Sequence, residues 1–191
     1  MTEIILASSS LRRQIILEHL KIPFKAISPD IDETMFIDKD ILTVIKECAK
    51  QKVIAVKTKL KQNRWIAGFD TLVEIDNNIL GKPENRADAG TMLKILSGRA
   101  HKVHTGIAIT TDKNISILTD SCTTDVIFNK MTKNEIEFYL NTDEWMGVAG
   151  AYRIQERGAF FINSINGSYS NVVGLPISLF YGMLCKYNFP F

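Results

Sequence analysis

Strand-like and helix-like stretches alternate along the chain, which predicts an α/β fold on a mixed sheet. Three observations carry that expectation. Short apolar runs such as residues 3–7 have the length of buried strands, whereas residues 40–61 repeat apolar side chains at helical spacing. Two pairs of neighbouring strands are separated only by Asn77-Asn78 and by Asp112-Lys113-Asn114, which suits hairpins and makes the sheet mixed rather than all parallel. No internal repeat, charge block or low-complexity linker interrupts the alternation, and the 191 residues suffice for one full-sized domain, the expectation for 1–191, or at most two small ones.

The elements follow in order. Residues 3–7 form a strand, three serines come next, and a helix spans 11–20. Residues 24–28 form a strand closed by Pro29. The long helix over 40–61 carries Ile41, Ile45, Ala49, Val53, Val56 and Leu60 on one stripe. Residues 65–75 form a strand, Asn77-Asn78 a tight turn, and 87–96 a helix capped by Gly98. Strands are expected over 103–111 and 115–128. A helix over 132–140 opens with a capping box, Thr132 with Glu135. Residues 152–155 and 159–165 read as strands, and 179–187 as the last helix.

Composition narrows the function. An apolar fraction of 46% and a charged fraction of 23% belong to an ordinary globular protein. The 5 Pro and 11 Gly exclude a disordered or collagen-like chain. The 23 Lys and Arg nearly balance the 21 Asp and Glu, so the net charge of +2 excludes nucleic-acid binding by bulk charge. Any anion site is therefore local. The polar Thr2-Glu3 start gives no signal peptide, and the stretch 172–185 is too short and too broken by Gly174, Pro176, Ser178 and Gly182 to span a membrane. Three scattered cysteines, Cys48, Cys122 and Cys185, with no CxxC, fit a reducing cytoplasm better than a disulfide framework or a zinc site.

Four places can hold chemistry. Ser8-Ser9-Ser10-Leu11-Arg12-Arg13 lies where a strand gives way to a helix, where exposed N–H groups, hydroxyls and two guanidiniums favour an anion; an N-cap serine with surface arginines explains it equally. Lys52 falls on the apolar stripe of the long helix, near 340° when Ile45 is set at zero and each residue advances about 100°. It either snorkels or meets an anion, and Lys59, near 320° on the same rough projection, is singled out by the same rule. Asp70, after a strand and near Gly81-Lys82-Pro83, suits a general base or metal ligand beside a phosphate, or a turn residue. Asp30, Asp32 and Glu33 can hold magnesium, or can be solvated loop carboxylates. His101 and His104 are three apart on a strand, face opposite sides and cannot chelate one ion; His19 reads as packed.

Taken together these pieces resemble the Maf family of nucleotide pyrophosphatases. The first matching block is Leu6-Ala7-Ser8-Ser9-Ser10-Leu11-Arg12-Arg13. The second runs from Asp70-Thr71 through Gly81-Lys82-Pro83 and Asp88-Ala89 to Leu96-Ser97-Gly98-Arg99, His101 and Thr105. The third is Gly150-Ala151-Tyr152-Arg153-Ile154-Gln155, continued from Gly167 to Pro176. Each is weak alone; their joint order across the chain is specific. The resemblance implies an elongated mixed sheet flanked by helices, with a cleft between two lobes. It also implies hydrolysis of a nucleoside triphosphate to the monophosphate and pyrophosphate with a divalent cation, Mg2+ or Mn2+. Asp70-Thr71 and Ile154-Gln155 are similar to the dTTP/UTP branch.

By that match Asp70 is the proton acceptor, and Arg12, Thr71 and Gln155 bear on base choice. Ser8, Ser10, Arg13, Lys52 and Lys82 are expected at the phosphates, with Glu33 and Asp70 at the metal. The family's Ala-x-x-Lys pattern, here Ala49 to Lys52, decides between the two readings of Lys52 in favour of the anion. Four positions depart from the pattern: Ser9 for a frequent Gly, Leu11 for Pro, Phe69 for Ala or Ser beside Asp70, and Glu156 for Gly after Gln155. The last two bear on substrate preference, through pocket width and an added carboxylate. A homodimer acting on nucleotide pools in the cytoplasm is what the resemblance implies, with a link to septum formation. The competing expectations are a non-catalytic nucleotide-binding regulator and a pyrophosphatase for modified nucleotides.

Overall fold

In the strand Ile4–Ala7, β1, every side chain is buried, Ile4 and Leu6 in one apolar cluster and Ile5 and Ala7 in another. A run without polar alternation thus marks a strand covered on both faces. The computed structural model describes residues 2–31, 40–60, 64–111 and 116–191. Within them lies the expected α/β arrangement with a mixed seven-stranded sheet, which adds β2 (Phe24–Ala26), β3 (Trp65–Ile75), β4 (Asn78–Leu80), β5 (Ala100–Thr110), β6 (Leu118–Phe128) and β7 (Ile162–Asn166). The strand order is β2-β1-β3-β5-β6-β7, with β4 paired to β3. β1 runs parallel to β2 and β3, whereas β4 is antiparallel to β3 and β7 to β6. The helices are α1 (Leu11–His19), α2 (Ile41–Lys59), α3 (Arg86–Leu96), α4 (Lys133–Leu140), α5 (Tyr169–Val173) and α6 (Ile177–Lys186).

The chain divides into two compact units. The first comprises Met1–Asp70, Thr105–Cys122 and Gly174–Phe191. On one sheet face, Leu17 of α1 and Phe180, Met183 and Leu184 of α6 cover Ile4, Leu6, Trp65, Ala67, Phe69 and Ile107. On the other face, Ala49, Val53 and Val56 of α2 cover Ile5, Ala7, Ile66 and Ala108. Glycines bring α2 close to the strands. A Cβ at Gly68 would lie 2.6 Å from the carbonyl oxygen of Ala49, and one at Gly106 2.3 Å from that of Ile45.

The second unit comprises Thr71–His104 and Thr123–Val173. α3 packs on α4. The capping box is present, with Thr132 Oγ1 accepting from Glu135 N–H and the Glu135 carboxylate accepting from Thr132 N–H. An edge-to-face cluster joins His101, Phe128 and Tyr152, with ring centroids 4.8–5.5 Å apart.

Several boundaries differ from expectation. The tight turn is Asp76-Asn77, with φ of 51° and 62°, because Asn78 already pairs with Ile75. Asp shares with Asn the tolerance of left-handed backbone. Gly98 takes φ of 71° just past α3, as its cap role requires. The strand expected over 152–155 is absent. Tyr152 and Ile154 are buried while Gln155 is exposed, so the period of two is real. The segment belongs to no strand of the sheet, and a short 3-10 turn, Ala149–Ala151, precedes it. Another, Arg157–Phe161, replaces the first half of the strand expected over 159–165. α5 lies where no helix was expected. The turn expected at 112–114 lies outside the described residues. No disulfide is formed, and among the described residues no helix is long and apolar enough to cross a membrane.

Candidate active site

The end of β1 delivers the serine–arginine turn. Ser8 is buried, and its Oγ accepts from Ser10 N–H at 3.2 Å and from Arg13 Nη1 at 3.0 Å. Ser10 is the N-cap of α1 but makes no side-chain capping bond, and no acidic residue sits in the first turn. That N-terminus therefore presents a positive helix end that no carboxylate of its own first turn offsets. Arg13 is buried, donates from Nε to the carbonyl of Gly174 at 2.8 Å, and places its guanidinium 5.7 Å from the centre of the Phe69 ring. It is a brace of the turn. Arg12 beside it is half-buried.

Strand pleating separates Phe69 from Asp70. Phe69 is fully buried among the α1 and α6 side chains, on the face opposite Asp70, so it underlies Arg13 rather than narrowing the space beside the carboxylate. Asp70 faces α2, where Lys52 Nζ lies 2.5 Å from its Oδ1. Both residues are 7% exposed. Lys52 thus meets an anion from the apolar stripe of its helix, whereas Lys59 is exposed. The close approach at Gly68 and Gly106 makes the reach possible, because it brings the α2 backbone onto β3, which carries Asp70, and onto its neighbour β5.

The other expected site residues belong to the second unit. Thr71 is half-buried on β3, Lys82 is exposed after β4, and Gln155 is exposed in the turn over 154–156. Gly150 N–H donates to Gly81 O at 3.1 Å, linking the backbone of the Lys82 loop to the start of the segment that carries Gln155. Gly150 has φ of 69°, and a Cβ there would lie 2.9 Å from Val73 Cγ2. Glu156, the departure beside Gln155, pairs with Arg153 Nη1 at 3.2 Å.

His101 and His104 have separate partners, as their opposite faces require. His101 Nε2 contacts Tyr152 Oη at 2.9 Å; His104 lies between Glu74 Oε2 at 2.7 Å and Thr123 Oγ1 at 2.8 Å. Burial pushes the His101 imidazole down to about 4, so it is neutral at physiological pH. Burial also raises the phenols of Tyr139 and Tyr152 above the usual tyrosine range. His19, expected to be packed, is exposed at the end of α1. Tyr139 was not singled out by sequence, although it holds the Arg153 backbone through Oη at 3.0 Å. Its one signal is a tyrosine at an apolar helical position, since a buried phenol requires a hydrogen-bond partner that sequence does not name.

Asp32 and Glu33 lie outside the described residues, and Asp30 is exposed. Among the described residues, no group of three or more His, Cys, Asp or Glu is arranged to hold a metal ion. The Asp70 carboxylate is a hard oxygen donor of the kind that magnesium and manganese take, and such ions commonly complete their shell with phosphate oxygens and water.

The family model described as Maf-like protein matches residues 3–187. A dTTP/UTP pyrophosphatase from Clostridium botulinum is 42% identical over 183 residues, covering 95% of this chain and 97% of its own. A dTTP/UTP pyrophosphatase from Clostridium novyi is 42% identical over 180 residues, covering 94% of each. Among solved structures, the Staphylococcus aureus Ham1 protein is 14% identical and shares the fold, with a TM-score of 0.56 over 97% of this chain and 100% of its own. With both the motif blocks and nearly the whole length matched, the chain belongs to the Maf-like protein family.

Proposed function

We propose that this chain hydrolyses nucleoside triphosphates, dTTP and UTP above all, to the monophosphate and pyrophosphate. The observation that carries the proposal is the buried Lys52–Asp70 pair in the same unit as a helix N-terminus flanked by Ser8, Ser10, Arg12 and Arg13. That set offers a carboxylate for water and several donors for a polyphosphate, and the relatives at 42% identity are named for the same reaction.

Each residue then has a role. Asp70, oriented by Lys52 at Oδ1, accepts the proton of the attacking water. The water oxygen forms a bond to the α-phosphorus, the bond from that phosphorus to its bridging oxygen breaks, and pyrophosphate leaves with the electron pair. Ser8, Ser10, Arg12, Arg13, Lys52 and Lys82 hold phosphate oxygens and stabilise the charge that develops there. Arg13 does so while braced on Ser8 and Gly174. Thr71, Gln155 and Arg12 select the base. Asp70 and Glu33 would hold a divalent cation, which would supply charge neutralisation at the phosphates. The reading extends to a homodimer that controls nucleotide pools in the cytoplasm.

The test is release of pyrophosphate from dTTP, UTP, CTP, 7-methyl-GTP and modified nucleotides, each with magnesium and with manganese. Turnover highest on dTTP and UTP is expected. Tight nucleotide binding with no pyrophosphate released would make the chain a nucleotide-responsive regulator, and turnover highest on a modified nucleotide would reassign the substrate.

A further inference from the structure

We propose that Tyr139 and Glu144 are positioning residues for base selection, clamping the backbone on either side of Gln155 and so fixing where its carboxamide is presented. The inference deepens the reading of Gln155 as a base-selecting side chain and rests on it.

Gln155 sits in the turn over 154–156, in a segment that belongs to no strand. The sheet ladder therefore does not locate it. Side chains do. Two residues before Gln155, the N–H of Arg153 donates to Tyr139 Oη at 3.0 Å. Two residues after it, the N–H of Arg157 donates to Glu144 Oε2 at 2.9 Å. Tyr139 is fully buried, lies in the last turn of α4, and packs edge-on against Phe161 with centroids 5.6 Å apart. Glu144 is buried as well, at 8% exposure. The turn is also closed on itself, since a Cβ at Gly158 would lie 2.4 Å from the carbonyl oxygen of Arg153. Tyr152 Oη against His101 Nε2 holds the residue before the clamp.

This arrangement matters because of what a carboxamide is. Its acceptor oxygen and donor nitrogen sit side by side on a long, rotatable stem. Such a group can turn over about its last bond and suit either the carbonyl of a uracil or thymine or the amino group of a cytosine, so discrimination requires first that its backbone be held at a set distance and angle. Two anchors, each two residues away, fix that backbone without touching the base.

The experiment measures kcat/KM for UTP and CTP in the parent, Gln155→Ala, Tyr139→Phe, Glu144→Ala and the double variants with Gln155→Ala. Tyr139→Phe removes one acceptor oxygen and keeps the ring. It is expected to lower the UTP-to-CTP ratio by about threefold to tenfold, because the lost bond to Arg153 N–H reaches the ratio only through the displacement of Gln155 and so counts for no more than one buried hydrogen bond. The loss should fall on the KM for UTP, with kcat nearly unchanged. In the Gln155→Ala background the same change should shift the ratio by less than about twofold, because groups that act through one another are not additive. A ratio unchanged in folded Tyr139→Phe and Glu144→Ala, or effects that add to those of Gln155→Ala, overturns the clamp while leaving Gln155 as the selecting residue. A ratio unchanged in Gln155→Ala itself overturns both. Where Tyr139→Phe does not fold, Glu144→Ala decides in the same way. Where neither folds, hydrogen exchange in the parent decides: slow exchange at the Arg153 and Arg157 amides is expected, and exchange at the rate of an open turn overturns the clamp.

Discussion

Lys52 Nζ lies 2.5 Å from Asp70 Oδ1, and both side chains are nearly closed off from solvent. A lysine from an apolar helix stripe and an aspartate from a strand meet where neither would be stable alone, because an unpaired buried charge is strongly disfavoured.

With Asp70 as the proposed base, Asp70→Asn should lose roughly 10²–10⁴-fold in kcat. Nucleotide affinity should change little by comparison. Steady-state pyrophosphate release and equilibrium titration of the same preparation check both halves, and a variant that turns over near the parent rate removes Asp70 from the chemistry.

Lys52→Met leaves Asp70 buried without its cation. Breaking one side of a buried pair costs about 3–5 kcal/mol, so the urea unfolding midpoint should drop sharply. Replacing both, as Lys52→Met with Asp70→Leu, should recover most of that stability and none of the activity. If the double variant is as unstable as the single one, packing and not charge holds the pair in place.

Gly68→Ala tests the close approach of α2. The new Cβ would meet the carbonyl oxygen of Ala49 at 2.6 Å, so the helix must move outward. Overpacking of this kind costs about 1–3 kcal/mol. Because Lys52 rides on that helix, catalytic rate should fall along with the melting temperature. A variant with parental rate and stability would show that α2 yields freely.

His101 supplies a pH dependence. Its folded value, pushed down by burial to about 4, lies below the ordinary histidine value of 6.5. Between those values the unfolded chain binds a proton that the folded one refuses. Its contribution to stability is therefore complete above about pH 6.5 and declines as pH falls toward about 4, by roughly 3 kcal/mol in total. Urea unfolding across that range measures the slope. His101→Gln should flatten it, and an unchanged slope would place the proton elsewhere.

Much of the fold was legible because it follows from local periodicity. The β3 strand and the α4 helix with its Thr132–Glu135 capping box fall where the pattern places them. The position of Lys52 on the apolar stripe of α2 is likewise a property of spacing alone. Residues 152–155 depart from that pattern for a reason within the same logic. Alternating burial is a property of an extended chain against any apolar surface, and it becomes a strand only where a second strand supplies hydrogen-bond partners.

Sequence by itself therefore determined the α/β class, most element positions and which residue types can carry the chemistry, since these depend on patterns along a few turns of chain. Tertiary structure alone decided the partners. It set Lys52 against Asp70 through the space left by Gly68 and Gly106, turned Arg13 into a brace on Ser8 and Gly174, and put Phe69 on the opposite face from Asp70. It also gave Tyr139 the backbone of Arg153. Each of these contacts joins residues from different elements, and their distances are set by how closely helices and strands pack, a quantity that no local pattern encodes.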